Sequence, residues 1–387
     1  MRRLLIFFIF FWCIACIDPF PAQAAAGPTD KILEDSGVLG LQQFITAVDE
    51  DLQSYLGSLD VMTILRSIAA GDLPLTPMTA ITMVSKILFK ELALNMQLLG
   101  KLIILAIIAA TLQQMIGAFS DATVGKMAHM VVFLALMTLA IASFTYCIDS
   151  AKTTVEEIMN FLKALFPILV TLTAAEGGFL TAGLLHPLLI FFLGFVGTIL
   201  QTVIFPAIYL YAVLLLVNRI SPMFKVERLA GLMKDGIFLV MGFTLTVFVG
   251  FLSLQGITGA VADGLGMKTA KFATKTFLPV VGGFMADAVE TVAGTAVVMK
   301  NAVGVFGVIM LVLICIYPAI KVLLTAFVFK FAAAVVEPFG DGMISGALED
   351  MGKSIMLTFG VLVAAGVIFF FAITVIVGVG NVNIMMR

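Results

Sequence analysis

The sequence predicts an all-α, polytopic helical membrane protein of about eight spans, behind a cleavable signal peptide and a small exported helical region. Three observations predict it. Hydrophobic residues make up 61% of the 387 and charged residues 12%, against about 45–50% apolar and about 25% charged in a soluble domain. The apolar residues gather in runs of about 20, the length that carries a helix across about 30 Å of hydrocarbon. Runs such as 102–110, Leu-Ile-Ile-Leu-Ala-Ile-Ile-Ala-Ala, do not alternate polar with apolar as barrel strands do. Lipid offers the backbone no hydrogen bonds, so helices are the remaining solution. The formal net charge is −2 and no long basic stretch occurs, which argues against nucleic acid as a partner.

Residues 1–26 read as a signal peptide. Arg2 and Arg3 form a positive start, 4–17 is an apolar core too short to span comfortably, and Ala22-Gln23-Ala24 or Ala24-Ala25-Ala26 fits cleavage. An uncleaved anchor is the alternative, and either form delivers the next segment of chain outside the cytoplasm. Cys13 and Cys16 lie inside this apolar core, so their CxxC spacing is not read as redox or metal chemistry. Cys147 and Cys315 sit in apolar runs as small hydrophobes.

Residues 27–95 form the exported region. From Asp30 to Glu91 there are nine acidic and four basic residues, a balance that disfavours anionic lipid. Leu41, Ile45, Val48, Leu52 and Tyr55 make one amphipathic stripe, and Val61, Ile64, Leu65 and Ile68 a second. Gly71, Pro74 and Pro77 break the chain, and Thr79 can cap a third helix that leads into the first span. Helices this short need a neighbour, a membrane surface or a partner to cover them.

Residues 96–387 form the membrane domain. The spans are expected near 98–118, 128–148, 158–176, 180–200, 202–219, 236–255, 302–328 and 354–379. Pro167, Pro187, Pro206 and Pro318 fall in or beside them and invite kinks. An exported N-terminus makes the connection 218–236 cytoplasmic. Its Arg219, Lys225, Arg228 and Lys234 agree with the positive-inside rule. The acidic-leaning segment around Asp149, Lys152, Glu156 and Glu157 is read as an external connection.

The stretch 256–301 is too polar to span comfortably and too apolar for an ordinary loop. Its glycines, among them Gly264, Gly266, Gly282 and Gly283, permit close backbone approach. Lys268, Lys271 and Lys275 share one helix face near Asp263. The stretch either re-enters the bilayer to line a path or make a subunit contact, or forms an interfacial hairpin with snorkelling lysines. The candidate path-lining or subunit-contact residues are Asp263, Gly264, Gly266, Lys268, Lys271, Lys275, Gly282, Gly283 and His186.

Catalytic constellations are scarce. With only His129 and His186, a His-rich metal site is excluded, and neither HExxH nor a phosphate-binding glycine loop occurs. Glu176, before Gly177-Gly178, reads as part of a solvated connection. His186, before Pro187, reads as bonded to a neighbouring helix rather than as a proton carrier. No catalytic, cofactor-binding or metal-binding residue is assigned, and no cofactor is expected.

Several stretches carry a family likeness: 184–189 around His186-Pro187, then 218–232, 254–271, Pro279 to Gly282, Lys300 to Gly304, and 373–381. By these the chain resembles the stage III sporulation protein AE family of endospore-forming bacteria over almost the whole mature length. The resemblance implies a non-enzymatic membrane subunit of a secretion-like channel joining mother cell and forespore, required for forespore development. It implies residence in the mother-cell membrane around the forespore, with the N-terminal region in the intermembrane space. The partners it implies are other subunits of the same complex: a cytoplasmic ATPase, ring-forming single-span proteins and small polytopic proteins. Membrane lipid and further copies of the chain complete the expected contacts. The alternative is a stand-alone secondary transporter for a small solute, which calls for paired ionisable groups at the membrane midplane.

Overall fold

The structure, a computed structural model, describes residues 77–116, 122–220, 226–277, 281–339 and 342–385, together with Leu65, Ser67 and Ile68. The signal peptide and nearly all of the exported region before Pro77 lie outside the described residues. The described residues form helices and no strands. In chain order these are α1 (Pro77–Ile116), α2 (Ala122–Ala175) and α3 (Phe179–Ile199). A π-helical turn (Leu200–Ile204) joins α3 to α4 (Phe205–Ile220). After these come α5 (Glu227–Phe277), α6 (Val281–Val336), a 3-10 turn (Glu337–Phe339) and α7 (Gly342–Met385). Among the described residues, six helical stretches are long and apolar enough to cross a membrane, rather than eight: Ile81–Leu112, Met127–Ala175, Phe179–Arg219, Glu227–Phe251, Thr291–Phe339 and Gly342–Gly378.

The two missing connections have physical explanations. The segment around Asp149 and Glu156 looks like a loop by charge, yet α2 runs straight through it. Ala151, Thr154, Val155 and Ile158 keep its inner face buried, so the helical period is unbroken while the polar residues take the outer face. No glycine or proline interrupts it. At Pro206 the missing backbone donor is absorbed by the π turn, in which Phe205 N–H donates to the Leu200 carbonyl. The helix therefore continues past residue 201. The expected spans 128–148 and 158–176 thus lie on one continuous helical stretch, as do 180–200 and 202–219. The 49 residues of Met127–Ala175 reach about 73 Å at 1.5 Å per residue, more than twice the hydrocarbon thickness.

Two further boundaries are smoother than the sequence implies. Helix α1 starts at Pro77, where a missing N–H costs nothing, and runs without interruption past residue 95 into the first span. The glycine-rich stretch 256–301 is helical up to Phe277 and again from Val281. Each helical glycine costs only about 1 kcal/mol relative to alanine, too little to break a long helix.

Antiparallel packing sets the register. Leu165 of α2 fills the space beside Gly307 of α6, Cys315 of α6 faces Gly366 of α7, and Met159 of α2 covers Gly197 of α3. A side chain on Gly352 of α7 would meet the Ala326 carbonyl and Lys330 of α6 at 3.3 and 2.9 Å, so this glycine lets the two backbones approach closely. One apolar core runs through these helices, with Phe161, Leu165, Phe306, Phe329, Ile355 and Phe369 among its fully covered members.

Candidate functional site

Helix α2 ends in a tight reversal. Gly177 takes φ 95°, a left-handed conformation that suits glycine. Gly177 N–H donates to the Ala174 carbonyl at 2.8 Å and Gly178 N–H to the Thr173 carbonyl at 3.0 Å, which satisfies carbonyls at the helix end. The reversal turns Glu176 inward. Its Oε2 accepts a hydrogen bond from Lys300 Nζ of α6 at 2.8 Å, with side-chain exposures of 1% and 0%. Glu176 is thus not part of a solvated connection, and Lys300 is enclosed with it.

A second ionic cluster closes the other end of the bundle. Arg219, at the end of α4, donates through Nε to Asp350 Oδ2 of α7 at 2.7 Å. Lys353 bridges Asp350 at 3.3 Å and Glu349 at 2.9 Å. The Arg219 guanidinium lies over Gly346, where a Cβ would come within 2.6 Å of it. Asn218 Oδ1 accepts from the Val226 N–H at 3.2 Å, tying the end of α4 to the start of α5.

Between these ends lies a polar step shared by α1, α2 and α6. Thr325 donates to Asn95 Oδ1 at 3.2 Å, and Asn95 Nδ2 donates to the Glu91 carbonyl at 2.9 Å. Glu91 itself is 1% exposed. Lys321 lies over the Tyr146 ring, 4.4 Å from its centroid.

The exposed surface of α2 changes along its length: Met127, Met130, Val131, Leu134 and Ile141 are exposed in the first half, and a narrow polar stripe follows in the second. From Asp149 the exposed positions are Thr153, Glu156, Asn160 and Lys163, then Pro167 and Thr171, spaced four and three apart. Gln201, in the π turn, donates to Glu156 at 3.0 Å, and Lys163 to Asn160 at 3.5 Å. Between Ile141 and Phe179, Tyr146 is the one large apolar side chain left exposed. The outer face of α3 differs: Phe179, Leu180, Leu184, Ile190, Phe191 and Phe195 are all exposed there, as lipid contact demands.

Asp263, Gly264, Gly266, Lys268, Lys271, Lys275, Gly282, Gly283 and His186 are described by their backbone alone. Their backbones belong to α5, to α6 and, for His186, to α3. Reading the sequence missed Glu176 with Lys300, Arg219 with Asp350, and the α2 stripe. The stripe had a signal, because its polar residues recur at helical spacing inside apolar sequence. The ion pairs had none, since their partners lie 124 and 131 positions apart.

These features define a helical protein whose described residues include six helices suited to crossing a membrane, fastened by buried ionic and polar contacts between them. The family model for stage III sporulation protein AE matches residues 59–380, and the chain belongs to that family. A stage III sporulation protein AE from Bacillus subtilis (strain 168) is 37% identical over 317 residues, 82% of this chain and 79% of the relative. No solved structure matches the chain.

Proposed function

We propose that this chain is a non-enzymatic membrane subunit of a secretion-like channel that connects mother cell and forespore and is required for forespore development. The observation that carries the reading is the family match over 59–380, which takes in the whole bundle from α1 into α7. The chain would sit in the mother-cell membrane around the forespore, with its N-terminal region in the intermembrane space. Merging two pairs of spans removes two crossings, so the basic connection 218–236 stays cytoplasmic, in accord with the positive-inside rule. Its partners would be a cytoplasmic ATPase, ring-forming single-span proteins and small polytopic proteins of the same complex.

The test is affinity purification of the tagged chain from sporulating cells with quantified stoichiometry, beside a deletion strain. Co-purification of the other subunits at fixed ratio is expected, with small forespores and lost late transcription on deletion. A deletion strain with normal forespores and normal late transcription contradicts the reading. Uptake of a defined solute by the purified chain in liposomes would favour a stand-alone transporter instead.

A further inference from the structure

We infer that Glu91 anchors a monovalent-cation site between α1 and α6, and that an alkali-metal ion bound there fastens α1 to the bundle. The inference goes beyond the channel reading and does not depend on it.

The seating of α1 points to the site first. Between Ile87 and Gln97 a single line of its side chains is covered: Ile87, Glu91 and Asn95 are buried, whereas 88–90, 92–94, 96 and 97 are exposed. Residues four apart stand one above the other on a helix, so the Glu91 carboxylate and the Asn95 amide share this covered line. Asn95 Oδ1 accepts from the Thr325 hydroxyl of α6 at 3.2 Å. Further along α1, Gln114 donates to the Phe339 carbonyl just past the end of α6, at 3.1 Å. Helices α1 and α6 therefore run parallel. Glu91 and Lys321 each precede the Asn95–Thr325 contact by one turn, which sets them at one level.

The lysine nevertheless turns elsewhere. Lys321 Nζ lies 4.4 Å from the centroid of the Tyr146 ring and 5.7 Å from that of Tyr317, a cation–π seat. Glu91 is 1% exposed, yet its Oε1 accepts no hydrogen bond among the described residues. A carboxylate withdrawn from water calls for a positive charge or for donors. An ionisable side chain inside an apolar stretch such as Ile81–Leu112 is costly and is retained for function. The oxygens beside it set the class of ligand. A carboxylate, the side-chain carbonyl of Asn95 and the hydroxyl of Thr325 are hard donors, which suit alkali and alkaline-earth ions rather than transition metals. One carboxylate balances one positive charge, and Lys321 already stands at the same level, so a divalent ion would leave excess positive charge. A monovalent ion matches. Two of the three donors come from α1 and one from α6, so the ion joins the two helices directly.

The test follows the thermal midpoint of the full chain in detergent micelles, with sodium, potassium or lithium chloride exchanged for N-methylglucamine chloride at constant ionic strength. A ligand that binds only the folded state raises the midpoint as its concentration rises. At least one alkali salt should therefore raise it by a few degrees where N-methylglucamine does not. Glu91→Gln should abolish that response and keep the midpoint at or above that of the ion-free wild type, because a neutral amide needs no counter-charge. Thr325→Val keeps the side-chain shape and removes one oxygen, and should raise the half-saturating concentration about tenfold. Lys321→Met removes the neighbouring positive charge and should lower it. A wild-type midpoint that is the same in N-methylglucamine and in all three alkali salts overturns the site, as does an ion response that survives Glu91→Gln. A response to magnesium or calcium alone overturns the monovalent class. Should Glu91→Gln fail to fold, equilibrium dialysis with labelled sodium decides: retention by the wild type that Thr325→Val weakens supports the site, and no retention, or retention that Thr325→Val leaves unchanged, overturns it.

Discussion

Replacing Lys300 with methionine removes the cation and leaves the Glu176 carboxylate enclosed. At 2.8 Å and an effective dielectric of about 20, the pair's gross attraction is about 6 kcal/mol. Desolvating two ions costs several kcal/mol each, so the intact pair contributes little net stability. The broken pair is a different matter, because an uncompensated buried charge costs about 3–5 kcal/mol. Lys300→Met should therefore destabilise the protein by about that amount, measured by reversible unfolding in mixed micelles. Adding Glu176→Gln removes the enclosed charge and should restore most of the loss. The exchanged pair, Glu176→Lys with Lys300→Glu, should stand closer to wild type than either single change. A loss below about 1 kcal/mol for Lys300→Met, the value of a solvated pair, would refute the buried-pair reasoning. So would additive single-mutant losses in the double mutant.

The same geometry sets three other expectations. Gly177→Ala forces a Cβ into the left-handed conformation at φ 95° and should cost about 1–2 kcal/mol, read as a lower thermal midpoint of the solubilised protein. Gly346→Val pushes the Arg219 guanidinium off Asp350 and should cost about 1–3 kcal/mol by overpacking, with Gly346→Ala milder. A double-mutant cycle of Asn95→Leu and Thr325→Val should give a coupling of about 0.6 kcal/mol, with about 1.7 as the upper range for hydrogen bonds between membrane helices. Zero coupling in that cycle would separate α1 from α6.

The helical class and every apolar run were legible in the sequence, because a lipid-facing or core helix must be apolar over its whole length. Where the spans join was not. Asp149 through Glu157 has the charge of a loop, and only the buried face formed by Ala151, Val155 and Ile158 reveals that the helix continues. That face depends on neighbours the sequence does not display. Glu176 before two glycines looked like a solvated turn, yet Gly177 supplies a reversal that points the carboxylate into the protein. Its partner Lys300 sits in a stretch where the other lysines suggest a surface, and the contact is made between helices far apart along the chain. Gly256 to Gly266 suggested irregular backbone, while the structure carries helix through them. A few glycines are a small local cost against the cooperative hydrogen bonding of a long helix.

The central claim is that α2 crosses the membrane once as a single helix. Single cysteines at Ser120 and at Phe179, which is exposed, just outside its two ends, can be tested in intact cells with an impermeant thiol reagent before and after permeabilisation. One crossing places the two positions on opposite sides, so only one of them is labelled before permeabilisation. Labelling of both, or of neither until the membrane is opened, would mean that the chain turns back near Asp149, and the single-helix claim would be contradicted.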